Sequence, residues 1–378
     1  MRTSFTPPLS GIKILDLSRV LAGPHCTAML GDIGAHVLKV ETPLHGDDSR
    51  HLGPFNDGES VYFDLINRGK DSLELDLKNA NDLNIFYDLV KDSDVIVENY
   101  RPGVAQRLKV DFDTVKAINP KIIYASISGF GQQGPLAQFP AYDITVQAMS
   151  GLMSVTGFPE TGPTRVGESI GDIFAGIYAA WAISSALFAR ERGAEAQHID
   201  VAMFDVMVSM QMTGLANLFA NKKAPVMVGN RHPVSTPFDT YKAKDGLMVI
   251  AVANDKLFIT LCKTMSRDDL IDSELFKTDP LRTQNEKQLK HEMEQWLSQH
   301  TVDEACDLLL NKGVPAAPVW NLEKTVNSEQ SKARQLFVAV EGSDIPIVPQ
   351  PVFFNGVKPH ATKASPQLGV SNKYYGKA

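Results

Sequence analysis

A chain of 378 residues, 43% hydrophobic and 21% charged, is long enough to bury two cores and too apolar to be largely disordered. A net charge of -7, a pI near 5.7 and only short basic clusters (Lys222 and Lys223; Arg190 and Arg192) argue against a surface for nucleic acid. Cys26, Cys262 and Cys306 are isolated, with no CxxC and no His cluster at ligand spacing, so no disulfide framework and no metal site are indicated and a reducing cytoplasm is expected.

The start, MRTSFTPPLSG, has no apolar h-region and is not read as a secretory signal. From Gly11, IKILDL is a short apolar strand, AGPHCTAMLGDIG a helix with Pro24 in its first turn, and AHVLKVE a second strand. SLELDL (strand), NDLNIFYDLVKDS (amphipathic helix), DVIVEN (strand), helices near GVAQRL and DTVKAINP, and the strand IIYASISGF continue the alternation. The expected fold class is α/β, a mostly parallel sheet covered on both faces, with ligands at the carboxyl ends of its strands. The apolar stretch from Ile173 to Ala189 is at the short limit for a membrane span, carries Ser184 and Ser185 and stands alone. It is read as a buried helix running from Asp172 to about Arg192, closed by Arg190, Arg192 and Gly193. A second helix in DVMVSMQMTGLANLFANK follows.

The predicted organisation is a large domain over 1–220, a Pro-containing linker at 221–238, a smaller α+β domain at 239–325 and a segment at 326–378 that returns to the large domain. Within the smaller domain, DTYKAK, a DG turn and LMVIAVA form strands, followed by helices in KLFITLCKTM, LRTQNEKQLKHEMEQWLSQH and VDEACDLLLNKG.

One carboxylate, Asp172, stands at the mouth of the long apolar helix beside Gly171. Two readings are open: an N-cap satisfying free helix N–H groups, or a carboxylate nucleophile kept ionised by the helix N-terminus, with Gly171 clearing the approach. Arg101 in ENYRPG follows a strand end where a guanidinium suits a phosphate. Tyr142 and Asp143 in PAYDI are hydrogen-bonding candidates, and His232 in GNRHP a candidate base. LAGPHC lacks the GxGxxG spacing of a dinucleotide site.

Taken together, LSGIKILDLSRVLAGPHCTAMLGDIGAHVLKVETP, GDDSR, NRGKDSLELDLK, VIVENYRPG, NPKIIYASISGFGQQGP, YDITVQAMSGLMSVTG, GDIFAGIYAA and GVPAAPV resemble the class III CoA-transferases, the CaiB/BaiF or formyl-CoA transferase family. The resemblance runs in order along nearly the whole chain. It implies a Rossmann-like large domain completed by the C-terminal tail, a small domain between, and two subunits threaded as interlocked rings. It implies Asp172 as nucleophile and CoA contacts at Leu21, Ala22, Thr42, Leu75, Asp76, Lys78, Asn99, Tyr100, Arg101, Arg107, Ala141, Tyr142 and Asp143. No permanently bound cofactor is expected: the CoA thioester is a substrate, the other partners are a carboxylic acid and a second copy of the chain, and neither nucleic acid nor a membrane is involved.

The implied chemistry passes CoA through an aspartyl mixed anhydride and an aspartyl-CoA thioester, with backbone N–H groups steadying each oxyanion. Leu21 and Thr42 stand where the oxalate-using members carry glutamine and arginine, and GNRHPVSTPF has no GGGG loop, so the resemblance points away from oxalate and formyl-CoA. It points instead to transfer between succinyl-CoA and dicarboxylates, with carnitine-type or bile-acid-type acceptors as the alternative within the family and Arg50, Arg165 or Arg231 as partners for a second carboxylate. The α-methylacyl-CoA racemases of the same fold use a histidine where this chain has Tyr142, a poor base at neutral pH. Outside the family, the alternatives are an α/β protein that binds CoA without turnover, or an oxidoreductase.

Overall fold

The structure, a computed structural model, describes residues 5–377; part of the leading segment read for a signal lies outside them. Its strands are β1 (Lys13–Asp16), β2 (His36–Glu41), β3 (Phe55–Asn56), β4 (Glu59–Ser60), β5 (Asp71–Glu74), β6 (Val95–Glu98), β7 (Ile123–Ser128), β8 (Gly157–Phe158), β9 (Gly162–Pro163), β10 (Gln197–Ala202), β11 (Phe238–Lys242), β12 (Leu247–Ala251) and β13 (Ala316–Pro318). The helices used below are α1 (Ala22–Asp32), α2 (Val61–Asn67), α3 (Ala80–Lys91), α4 (Val104–Leu108), α5 (Phe112–Ile118), α6 (Asp143–Met149), α7 (Leu152–Val155), α8 (Ile170–Arg190), α9 (Met203–Ser209), α10 (Met212–Asn221), α11 (Asp255–Thr264), α12 (Asp279–Gln284), α13 (Glu286–Leu297) and α14 (Val302–Leu310).

The chain divides into two compact units: residues 1–152, 165–220 and 328–378 form the first, and 153–164 with 221–327 the second. The first is built on a six-stranded, wholly parallel sheet in the order β10-β7-β6-β1-β2-β5. From β1 the chain winds outward through β2 to β5, then returns to β6 on the other side of β1 and continues to β7 and β10. The loops after β1 and β6 therefore diverge, which makes a crevice at the strand ends. Continuous apolar strands such as β6, buried along its whole length, are what a sheet covered on both faces requires.

Helix α8 packs its small residues Ala175, Gly176, Ala179, Ala180 and Ala186 into the core, together with Ile183 and Leu187. A Cβ at Gly176 would stand 2.6 Å from the carbonyl oxygen of Ala22, so glycine lets α8 lie directly against α1. Only one side of α8 is buried. Ile177, Tyr178, Trp181 and Phe188 are exposed, which corrects the expectation of a buried helix: the length and apolarity that suggested burial come partly from a second, open face.

The segment from 328 onward closes the first unit. Asp32, fully buried, pairs with Arg68 at 2.6 Å and accepts the backbone N–H groups of Gln350 (2.8 Å) and Ala361 (3.0 Å). Asn372 Oδ1 accepts Glu74 N–H at 3.0 Å, and Lys363 pairs with Asp71 at 2.6 Å.

In the second unit, β11, β12 and β13 form an antiparallel sheet whose core includes Met248, Ile250, Leu261, Met293, Leu297 and Leu309, the helical ones from α11, α13 and α14. Arg282 is buried there, its guanidinium donating to Thr236 O (2.7 Å), Phe276 O (3.0 Å) and Asp255 Oδ1 (2.7 Å).

Candidate active site

Asp172 is the third residue of α8, inside the first turn and not at its cap; Ser169 flanks the helix and supplies no side-chain cap. The free N–H of Gly171 is taken by another acid: Asp143 Oδ1 accepts it at 2.8 Å, while Asp143 Oδ2 accepts Gln147 Nε2 at 2.6 Å. Gln147 Oε1 in turn accepts Val166 N–H at 2.9 Å, which ties down the loop that leads into Asp172. A Cβ on Gly171 would fall 1.9 Å from Met207 Cε and 3.1 Å from Asp143 Oδ1, so glycine brings the two acidic residues together.

Among the described residues the Asp172 carboxylate has no hydrogen-bond or ion-pair partner. Burial, and then the negative charge of Asp143, push its pKa up to about 7. Both effects run against the expectation that the helix N-terminus keeps the acid ionised. Tyr62, near the start of α2, has its phenol pushed up to about 12 by burial and by the charges of Asp172, Asp47 and Glu168. It stays protonated close to the acid. Glu168 itself is exposed, and its carbonyl accepts Ile170 N–H at 2.9 Å.

Asp172 opens into a cavity of about 230 Å³ at the crevice between the β1 and β6 loops. Of the residues singled out from sequence, Leu21, Ala22, Asn99, Tyr100, Arg101, Ala141 and Tyr142 line it with Asp172, and Asp143 lies buried next to it. Thr42, Leu75, Asp76, Lys78 and Arg107 are outside this cavity. Leu75 is buried and bonds through its N–H to Glu41 O at 2.9 Å; Thr42 Oγ1 donates to Gly46 O at 3.1 Å; Asp76, Lys78 and Arg107 are exposed. Arg19, Asp48 and Phe139 also line the cavity, and Arg19 pairs with Asp48 at 3.1 Å. Neither Arg19 nor Tyr62 carries a sequence signal that marks it.

The three arginines considered for a second carboxylate differ. Arg50 is committed to Glu41 by two bonds of 2.7 and 2.8 Å and lies 3.8 Å from the centre of the Phe63 ring. Arg231, in the second unit, pairs with Glu286 at 2.8 Å. Arg165 is exposed in the loop before α8; among the described residues it bonds only the backbone carbonyls of Val166 and Gly167, at 3.0 and 3.2 Å, and meets no acid. His232, in the second unit, stacks on Phe238 at 5.1 Å and accepts Val234 N–H at 3.3 Å.

The model of CoA-transferase family III matches residues 9–372. The chain belongs to CoA-transferase family III. A relative from Acetobacter aceti, acetyl-CoA:oxalate CoA-transferase, is 42% identical, covering 96% of this chain and 93% of the relative. Succinate–glutarate CoA-transferase of Agrobacterium fabrum is 38% identical over the same shares of the two chains. The crystal structure of a CaiB/BaiF family protein from Brucella suis superposes with a TM-score of 0.88 at 35% identity, covering 98% of each chain. As a family III member the protein is a CoA-transferase, an enzyme whose substrates include a CoA thioester.

Proposed function

We propose that this CoA-transferase moves CoA from succinyl-CoA to a dicarboxylic acid, with Asp172 as the nucleophile. The observation that carries the reading is a desolvated carboxylate without a partner at the crevice walled by Leu21, Ala22 and Asn99 to Arg101. The similarity to enzymes named for succinate, glutarate and oxalate supports the substrate class. The exposed Thr42, Asp76, Lys78 and Arg107 fit a longer CoA path that leaves the cavity along the surface, and the buried Leu75 would meet it through its backbone alone.

The Asp172 carboxylate attacks the thioester carbonyl, the C–S bond breaks, and CoA departs as thiolate to leave a mixed anhydride. The thiolate then attacks the aspartyl carbonyl, releasing succinate and forming aspartyl-CoA. The acceptor carboxylate attacks that thioester, expelling CoA thiolate and forming a second anhydride. Thiolate attack on the acceptor carbonyl yields the new CoA ester and returns the Asp172 carboxylate. No net proton is consumed. A pKa near 7 makes Asp172 a stronger nucleophile than an ordinary aspartate, and acylation removes the charge that Asp143 opposes. Arg165, whose guanidinium among the described residues bonds backbone carbonyls alone, is the cation proposed for the distal carboxylate of the dicarboxylic acid.

The protein acts as a homodimer of interlocked subunits in the cytoplasm. The open apolar face of α8, with Trp181 and Phe188 each more than half exposed, supports a second copy of the chain as its cover, and three free, buried cysteines fit a reducing compartment.

Incubation with succinyl-CoA and a panel of dicarboxylates, read by mass spectrometry of the CoA esters, tests donor and acceptor together. A new CoA ester that appears only with the wild-type enzyme is expected. Transfer restricted to monocarboxylates, or full turnover by Asp172→Ala, overturns the proposal. Sedimentation showing only monomer at micromolar concentration removes the dimer.

A further inference from the structure

The turn between β1 and α1 holds Val20 at φ 66°, a left-handed conformation that a β-branched residue rarely adopts. Side chains fix it from two directions. From the loop after β6, Asn99 Oδ1 accepts Arg19 N–H at 2.9 Å while Asn99 Nδ2 donates to Arg19 O at 2.8 Å. From the loop after β2, Asp47 Oδ1 accepts Val20 N–H at 2.9 Å and the N–H and Oγ–H of Ser49, both at 2.8 Å.

Behind Asp47 lies a buried lysine. Lys39 Nζ is 2.8 Å from Asp47 Oδ2 and donates to Ser18 O at 2.7 Å. The turn's polar backbone from Ser18 O to Val20 N is thus held by side chains from within β2, from the loop after β2 and from the loop after β6. The next residues, Leu21 and Ala22, form the wall of the cavity into which Asp172 opens.

We propose that Asn99 and Asp47 are positioning residues for CoA transfer: they hold Val20 left-handed, and through it keep the Leu21–Ala22 wall at its working distance from Asp172. The Asn99 amide is engaged at both ends by Arg19, so its effect on substrate passes through the turn. This rests on the reading of Asp172 as nucleophile. A strained backbone kept by its surroundings at a cavity mouth is the arrangement expected where geometry must be set before substrate arrives.

Glycine adopts a φ near +66° without strain, so it removes the need for the clamp. With full-length enzyme and succinyl-CoA as the varied substrate, Asn99→Ala is expected to raise KM by about tenfold with a smaller change in kcat, and Val20→Gly in that background to bring KM back to within about threefold of wild type. A double variant no better than Asn99→Ala shows that the amide meets the substrate directly, and overturns the proposal. Asn99→Asp, which keeps the acceptor for Arg19 N–H and loses the donor to Arg19 O, gives the same comparison where Asn99→Ala does not fold. Turnover by Asp172→Asn would remove the nucleophile assignment, whereas the Val20 rescue reports on the turn alone, so the two failures are separable.

Discussion

Asp172 and Asp143 are two acids brought to one place by a glycine, and their proximity divides their roles. Asp143 is fixed by Gly171 N–H and by Gln147, while Asp172 is left unpartnered with a pKa near 7. The ionised form of Asp172 is the reactive one, so kcat/KM is expected to rise with pH along a limb near 7; an assay from pH 5 to 9 reads it. Asp143→Asn removes the opposing charge, which moves that limb to lower pH while adding a misfit with Gln147; a limb that stays in place shows that burial alone sets it. Asp172→Asn keeps the shape and removes the nucleophile, with an expected loss of roughly a thousandfold or more in kcat. The sequence pointed to Asp172 through its neighbours and to Asp143 through its motif, but not to their coupling, because like-charge proximity is a property of the fold. Glycine next to an acid is legible in sequence; the Met207 methyl that makes the glycine necessary is not.

At the level of elements, the site depends on how closely α8 approaches α1. Gly176→Ala places a methyl against the Ala22 carbonyl, a backbone atom that cannot rotate away, and the expected cost is about 1–3 kcal/mol in urea unfolding, with loss of activity as the Leu21–Ala22 wall shifts. Alternating strands and helices from Gly11 to Phe130 were legible because strands buried on both faces read as apolar runs. The strand Gln197–Ala202 was not. It is the edge of the sheet, its first residues alternate between half-buried and exposed, and QHIDVA carries too many polar residues to look like its neighbours. DVMVSMQMTGLANLFANK, read as one helix, breaks between Ser209 and Met212, and LRTQNEKQLKHEMEQWLSQH breaks at Asn285. A hydrophobic period persists across such breaks, so sequence joins what the backbone separates.

For the whole molecule, ionisable groups pull stability in opposite directions. Glu98 is lifted to about 7 by burial, as Asp172 is, so between pH 4 and 7 both hold protons in the folded state that the unfolded chain has released. Their contribution is present below about pH 4 and is lost as pH rises through 7. Asp71, held at about 2 chiefly by His36, and Asp47, lowered by Lys39 despite its burial, act the other way: their stabilisation is present above about pH 4 and lost on acidification. Urea midpoints measured from pH 3 to 9 should therefore peak on the acid side of neutrality, and Glu98→Gln should flatten the decline towards pH 8. Asp32→Ala strands Arg68 and frees Gln350 and Ala361, for an expected loss of about 3–5 kcal/mol in the same measurement. That aspartate also sets a schedule. Its last two partners are separated from it by 318 and 329 residues, so a ribosome must first make the whole second unit before Asp32 is satisfied. During synthesis the first unit waits, its sheet formed in large part but one edge unclosed, while the second unit is made and folds on contacts of its own. The nascent enzyme thus carries a charged pair open to water until the segment that follows the second unit docks, so the unit begun first is the one closed last.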